Sequence, residues 1–495
     1  MPQQSLSNKK TNCMKQKSTR SSARRQRAQT RKQRARNARA RTTRIQRQEQ
    51  RKAQKAARDI SQQAFAKVLE SAEVRKLVGE LMPEYRDRLF PPLTTLAMFL
   101  KQVLSADRSC SNALEEAVAS GLIPDDASDS TGPYCDARAR LAVELVRRLC
   151  QLFAQEMSRL APAHWKWRGR EVKAADGSTV LMEDTEPNRK IYPQHGNQKQ
   201  GAGFPIARLV AVTSITTGAV LGVAMGAYKG KCTGEHALFR ELHQCFSKGD
   251  VMVADAYYCS YFLIAALQAM GVDFVFERHG ARKTNFNKGV KLGTRDHLVR
   301  WQRPQRPDWM TEEQYAACPE ELPVRELKVR GKILITSFLN PREVPKKEVG
   351  ALFEQRWHIE VDLRNIKTTL GMEKLSCKSP EMCEKEAYVY MLAYNTIRLL
   401  MAEAALRVGL LPRQLSFSHA VQVWLAWAYR GRRLHERRMN IIFRRIARVR
   451  VGNRPGRIEP RAVKQRPKTM PRLTTTRAQA RRHIRSHGHA KKLVA

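Results

Sequence analysis

Residues 170–182 read REVKAADGSTVLM: a short apolar run with polar and charged flanks that ends on Asp176-Gly177. Runs of this kind, bounded by turn residues, are strands. PIARLVAVTSI (205–215) and AVLGVAMGAY (219–228) flank Thr217-Gly218 as a hairpin. After Thr233-Gly-Glu-His a helix runs to Phe246, and DVMVAD (250–255) follows as a short apolar strand. A second helix to Met270 and the strand VDFVFER (272–278) complete the series. Three strands, helix, strand, helix, strand is the order of a ribonuclease-H-like α/β core. In that topology the first and fourth strands are neighbours, so Asp176 and Asp255 would face each other at their ends. Two carboxylates so placed suit Mg²⁺, which demands oxygen ligands. Either Asp alone reads equally as a strand-end turn residue.

Around this core the pattern changes. Residues 59–165 carry apolar positions at helical spacing (Phe65, Val68, Leu69, Leu77, Leu81), then further helices over 93–104 and 112–120 and a long one over about 135–160. This is an all-helical domain, followed by the first part of the core at 166–280. Residues 281–345 are rich in Pro, contain Trp301 and Trp309, and end in VRELKVR and KILITSFL, which marks a β-rich insertion. Residues 346–429 return to helix as the second part of the core.

The helix from Val349 supplies a third acidic group. At about 100° per residue, Phe353, Arg356, Glu360 and Lys367 fall on one narrow stripe. It borders an apolar stripe of Leu352, Ile359, Leu363, Ile366 and Leu370. A Glu there can complete a metal site while Arg and Lys reach phosphate oxygens. The bland alternative is a surface Arg–Glu pair at i, i+4, worth only about 0.3–0.5 kcal/mol.

Charge separates the ends from the body. The chain of 495 residues has 91 Lys and Arg against 46 Asp and Glu, a net +45. Residues 1–58 carry +19 and residues 430–495 carry +20, leaving +6 for 59–429. Both ends read as disordered basic tails that need a polyanion, and nucleic acid is the usual one. Collagen-like, mucin-like and wholly disordered classes are excluded by composition. The longest apolar stretch, Ile206 to Tyr228, contains Arg208 and the Thr216-Thr217-Gly218 turn, so no membrane span is expected. Ten scattered cysteines form no C-x-x-C pair and no secretory signal precedes them, which points to reduced thiols in a cytoplasmic protein. Thr233 reads as the N-cap of the following helix.

FEQRWHIEVDLRNIK (353–367) resembles the signature of DDE transposases of the insertion sequence 4 family: Tyr, two residues, Arg, three, Glu, six, Lys. Phe353 stands at the family's Tyr position. KAADGSTV, KQGAGFPIARLVAVTSITTGAV, GKCTGEHAL, GDVMVADAYYCSYFLIAAL, FLKQVLSADRSCSNAL and YCDARARL extend the likeness over roughly residues 85–410. The resemblance implies catalytic, metal-binding Asp176, Asp255 and Glu360, with Arg356, Lys367 and the Phe353 position on phosphate. It implies two Mg²⁺ ions about 3.5–4 Å apart, with Mn²⁺ as a substitute, activating an attacking hydroxyl and stabilising the leaving oxygen. It further implies that 59–165 binds DNA, that Trp301 or Trp309 can stack on a flipped base, and that a homodimer acts on paired double-stranded transposon ends and on target DNA. The expected setting is the bacterial cytoplasm, on the nucleoid when DNA-bound. The rivals to a cut-and-paste transposase are an inactive DNA-binding derivative and a structure-selective nuclease of the same fold.

Overall fold

The computed structural model describes residues 71–82, 89–197, 199–231, 233–428, 436–452 and 475–488, all within the unit spanning 62–495. The N-terminal basic segment 1–58 lies outside the described residues, as do the expected helical positions Phe65, Val68 and Leu69, and 430–435, 453–474 and 489–495 of the C-terminal segment.

Among the described residues five helices come first: α1 (Ala72–Leu81), α2 (Pro92–Leu104), α3 (Cys110–Ala119), α4 (Gly132–Arg140) and α5 (Val143–Leu160). The single long helix expected over 135–160 is two. Leu141 leaves the helical region at ψ 125° and turns its side chain into the core. On α5, Leu145, Val146, Leu149, Phe153 and Met157 recur at helical spacing and are buried.

The sheet begins with β1 (Val172–Leu181). The helix α6 (Glu186–Ile191) leads to β2 (Ile206–Ser214) and β3 (Val220–Ala227). Next come α7 (Glu235–Arg240), β4 (Val251–Ala254), α8 (Tyr261–Ala269) and β5 (Asp273–Glu277). Strand order on this side is β3-β2-β1-β4-β5. β1 pairs antiparallel with β2 and parallel with β4, and β4 pairs parallel with β5. Both faces are covered, and the side chains divide with the period of two that a pleated strand dictates. Ala175, Met252 and Ala254 pack on one side with Leu238 and Phe239 of α7 and Ile264 of α8. Ala174, Val251 and Val253 pack on the other with residues 349–363.

Residues 281–345 contribute β6 (Val290–Gly293), β7 (Asp296–Gln302), α9 (Glu312–Ala316), β8 (Glu321–Val329) and β9 (Lys332–Thr336). These strands do not stand apart from the core. They prolong its sheet in the order β5-β9-β8-β7-β6, all pairs antiparallel, to nine strands in total among the described residues.

The chain then forms α10 (Lys346–Glu354), α11 (Trp357–Arg364), a π-helical turn over Asn365–Thr369 and the 29-residue α12 (Pro380–Val408). α12 is buried along nearly its whole length, and Gly409 ends it at φ 66°, the left-handed conformation glycine adopts without penalty. Its Arg398 reaches Asp362 of α11 at 2.6 Å, and Arg413 grips the same carboxylate at 2.7 and 2.9 Å. Asp362 is 0% exposed, so this paired charge locks α11 to the helical layer. α13 (Phe417–Ala428) follows.

The C-terminal segment departs from the expected disordered tail. α14 (Glu436–Arg448) buries Met439, Ile442, Phe443, Ile446 and Ala447, an apolar arc at helical spacing that its many arginines mask in a charge count. α15 (Arg477–His487) is a capped basic helix with Thr476 and Gln479 in a capping box. Among the described residues no helix is long and apolar enough to cross a membrane.

Candidate active site

The β1–β4 ladder pairs Ala174 with Val253, so two more residues along each parallel strand bring Asp176 beside Asp255. Asp176 Oδ1 accepts the Gly177 N–H at 2.8 Å. Asp255 leaves β4 in extended conformation and caps a 3₁₀ turn, its Oδ1 accepting the Tyr257 N–H at 2.9 Å. Burial pushes the Asp176 carboxyl up to about 7, against the Gly177 hydrogen bond; the like charges of Asp255 and Glu235 add to the rise and Arg356 opposes it. The two aspartates are therefore electrostatic neighbours, and Arg356 is within reach of the same field.

Glu360 lies on α11, which packs over the face of β1 that carries Ala174, and hence over the Asp176 side of the strand. Its Oε1 pairs with Arg356 Nη2 at 2.7 Å. Lys367, in the π-helical turn, donates from Nζ to Ser178 Oγ at 3.2 Å. Ser178 is two residues beyond Asp176 on the same face of β1, so Lys367 arrives at the edge of the acidic group. Single π turns inside helices recur where a side chain must be re-aimed for function. Arg356, Glu360 and Lys367 thus meet the strand that holds Asp176.

Phe353 does not share their stripe. The helical phase is interrupted between α10 and α11, where Arg356 N–H bonds Phe353 O at 3.0 Å and Ile359 N–H bonds Arg356 O at 3.1 Å, tighter than α-helical spacing. The break turns Phe353 into the core beside Val349 and Leu352, only 6% exposed, with the Arg356 guanidinium 5.9 Å from its ring. Its ring therefore packs with the core rather than on the stripe expected for it.

The tryptophans also separate. Trp301 is buried on β7, its indole N–H donating to Glu326 Oε1 at 2.9 Å and the Arg282 guanidinium lying 3.5 Å from the ring centre. Only 5% exposed, the ring presents no open face to a base. Trp309 is 46% exposed, with Arg240 4.2 Å over its ring. It lines an open cavity of about 970 Å³ with His236, Phe262 and Arg240.

Glu235 is the residue that sequence reading passes over. Thr233 does not cap α7: its hydroxyl donates to Gly230 O at 3.0 Å, and Gly234 precedes the helix without a side-chain cap. Glu235 instead lies against Gly177, where a Cβ would stand 2.3 Å from its Oε2, and its Oε1 accepts the Tyr258 hydroxyl at 2.8 Å. Its carboxyl is also raised, first by burial. The signal available in sequence was the glycine after Asp176, which leaves room for a neighbour as well as for a turn.

Among the described residues no three His, Cys, Asp or Glu side chains stand close enough together to hold a metal ion, and Glu360 is turned to Arg356. The strand expected to end at Asp176-Gly177 continues to Leu181, so Asp176 stands in mid β1 and only Asp255 lies just past a strand end. The donor chemistry, mutually repelling carboxylate oxygens, is that of a hard divalent cation.

Residues 167–396 match the model of the transposase DDE domain. The transposase InsG for insertion sequence element IS4 of Escherichia coli (strain K12) is 30% identical over 347 residues, 67% of this chain and 76% of that protein. Among solved structures, the cryo-EM structure of the piggyBac transposase synaptic complex with hairpin DNA aligns over 79% of this chain and 85% of that chain, at 10% identity and a TM-score of 0.41. On the strength of the InsG match and the DDE domain, the chain belongs to the DDE transposases of the insertion sequence 4 family.

Proposed function

We propose that this DNA transposase cuts the ends of its own element and joins them to target DNA by a cut-and-paste reaction at a ribonuclease-H-like core. The observation that carries the reading is the pairing of β1 with β4, which sets Asp176 beside Asp255 under the helix bearing Glu360. The strand order β3-β2-β1-β4-β5, with only β2 reversed against its β1 neighbour and β4 and β5 parallel to β1, supports the core assignment.

The family implies dependence on a divalent metal. Asp176, Asp255 and Glu360 would hold it, as two Mg²⁺ ions for which Mn²⁺ substitutes. What such ions supply is activation of the attacking hydroxyl and stabilisation of the leaving oxygen. The chain's own groups do the rest. Arg356 and Lys367 bind phosphate oxygens flanking the cut, Arg as a planar fork and Lys as a point charge. Arg356, paired with Glu360 in the absence of DNA, would exchange that bond for a phosphate oxygen. Tyr257, 44% exposed beside Asp255, and Trp309 offer rings on which an unstacked base can rest.

The partners in this reading are double-stranded terminal repeats and target DNA, held by a homodimer. Residues 59–165 are the DNA-binding domain, 166–280 and 346–429 the two parts of the core, and 281–345 the insertion that widens its sheet. The basic segments 1–58 and 430–495 add non-specific phosphate contacts. The bacterial cytoplasm and nucleoid are its place of action. The test is incubation of the protein with labelled terminal-repeat DNA, a target plasmid and Mg²⁺. Excised ends and joined products support the reading; binding without cleavage contradicts it in favour of an inactive derivative, and cleavage without joining in favour of a nuclease.

A further inference from the structure

We propose that Arg108, from the helical domain, is a positioning residue for strand cleavage: it grips the end of the π-helical turn after α11 and so keeps Lys367 aimed at the site. The proposal rests on the reading of Lys367 as a phosphate ligand and adds a residue that acts through it.

Arg108 lies in the loop between α2 and α3, 263 residues before the glycine it binds. Its Nη1 donates to Gly371 O at 2.8 Å and its Nη2 to Leu370 O at 3.2 Å. Those carbonyls close the turn Asn365–Thr369, where a helix leaves its last acceptors without partners inside itself. A cation there also meets the negative pole of the helix dipole, and the planar fork of a guanidinium suits two acceptors at once. Lys367 sits in the same turn, and its Nζ donates to Ser178 Oγ at 3.2 Å. Loosening the end of the turn therefore moves Lys367 before Glu360, which lies about two turns further back.

The grip is prepared from both sides. Gln102, only 5% exposed, donates to Arg108 O at 2.7 Å. The Gln102 Oε1 in turn accepts the Tyr134 hydroxyl and Arg138 Nη1, each at 2.9 Å. The loop backbone is thus fixed to α2 and α4 before the side chain reaches out. The guanidinium lies 5.8 Å from the ring centre of Tyr390 on the buried α12. On the receiving side Gly371 stands at φ 84°, and a Cβ there would meet Arg108 Cζ at 2.8 Å. The bare backbone at 371 leaves room for the guanidinium. Residues 59–165, read above as the DNA-binding domain, are in this way tied by a charged hydrogen-bond pair to the turn that carries Lys367.

Arg108→Met keeps an apolar stem against Tyr390 and removes both donors. The experiment is single-turnover cleavage of labelled terminal DNA in Mg²⁺ at saturating full-length protein, with end binding measured on the same samples. It compares Arg108→Met, Arg108→Lys, Lys367→Ala and the Arg108→Met, Lys367→Ala double variant with wild type. Arg108→Met is expected to cleave at least about tenfold more slowly with end binding unchanged, within the loss that a misplaced group produces. Arg108→Lys, a point charge in place of a fork, should recover part of that rate, and it carries the comparison if Arg108→Met fails to fold. On the Lys367→Ala background the change at 108 should cost under about twofold, because no Lys367 is left to position. Backbone hydrogen exchange over residues 365–372, measured without DNA, should speed up in Arg108→Met while α12 stays as in wild type. An equal loss of cleavage on both backgrounds would give Arg108 a general structural role and overturn the proposal. Wild-type cleavage with unchanged exchange in Arg108→Met would overturn it as well. Wild-type cleavage in Lys367→Ala would instead overturn the reading of Lys367 on which it rests.

Discussion

Replacing Asp176 with Asn should stabilise the metal-free protein, and more so at high pH. Asn keeps the side-chain oxygen that accepts the Gly177 N–H and discards the charge. In the fold the Asp176 carboxyl titrates at about 7 rather than 3.8, chiefly because it is buried. Below 3.8 it is protonated in folded and unfolded chains alike and nothing separates the two proteins. Between 3.8 and 7 the unfolded chain ionises first, so wild type loses stability against the variant by about 1.4 kcal/mol per pH unit. Above 7 the loss levels off at roughly 4 kcal/mol, an upper bound for a partly accessible group. The gap at pH 8 should thus exceed that at pH 5 by roughly 2–3 kcal/mol. Urea unfolding of both proteins in chelator at the two pH values measures it. Adding Mg²⁺ at pH 8 should narrow the gap, because only wild type gains from the cation. A gap that does not depend on pH, or a wild type more stable than the variant at pH 8 in chelator, would refute the electrostatic account of the site.

Asp362→Ala leaves Arg398 and Arg413 as buried unpaired charges and should cost about 3–5 kcal/mol in urea unfolding; a loss under 1 kcal/mol would show that water reaches them. Deleting residues 1–58 and 453–495, while sparing α14 and its buried Ile442 and Phe443, should flatten the salt dependence of DNA binding. The log–log slope should fall by about 0.9 for each phosphate that those segments neutralise. An unchanged slope in a salt titration would remove these segments from the interface. Phe353→Tyr should leave single-turnover cleavage within a few fold, since the ring is packed and touches no reacting group, whereas Arg356→Ala should cost at least about tenfold, the loss of one charged hydrogen bond. The reverse ranking would show that position 353, not Arg356, meets the phosphate.

Much of this site is written locally. Asp176 and Asp255 are legible because each ends an apolar run of strand character, and the order of elements makes those strands neighbours. The spacing from Arg356 to Glu360 and Lys367 is legible because all three lie on one side of the helix break. Phe353 is misplaced by periodicity because apolar positions continue in helical phase from 349 to 370, while the turn at Gln355–Arg356 is set by packing against the sheet rather than by a Gly or Pro. Glu235 is hidden for a different reason: its significance depends on α7 lying against the bare backbone of Gly177, fifty-odd residues away. Trp301 reads like Trp309 in sequence, and only the pairing of β7 with β8, which sets Trp301 near Glu326, separates a core ring from an exposed one. In α14 the arginines mask the apolar residues that decide its fate.

The central claim is that Asp176, Asp255 and Glu360 together carry strand cleavage. Single-turnover cleavage of labelled terminal DNA in Mg²⁺ by wild type and by Asp176→Ala, Asp255→Ala and Glu360→Ala tests it most directly, with end binding measured on the same samples. The account predicts that each variant binds the ends and none cuts them; near wild-type cleavage by any one of the three would contradict it.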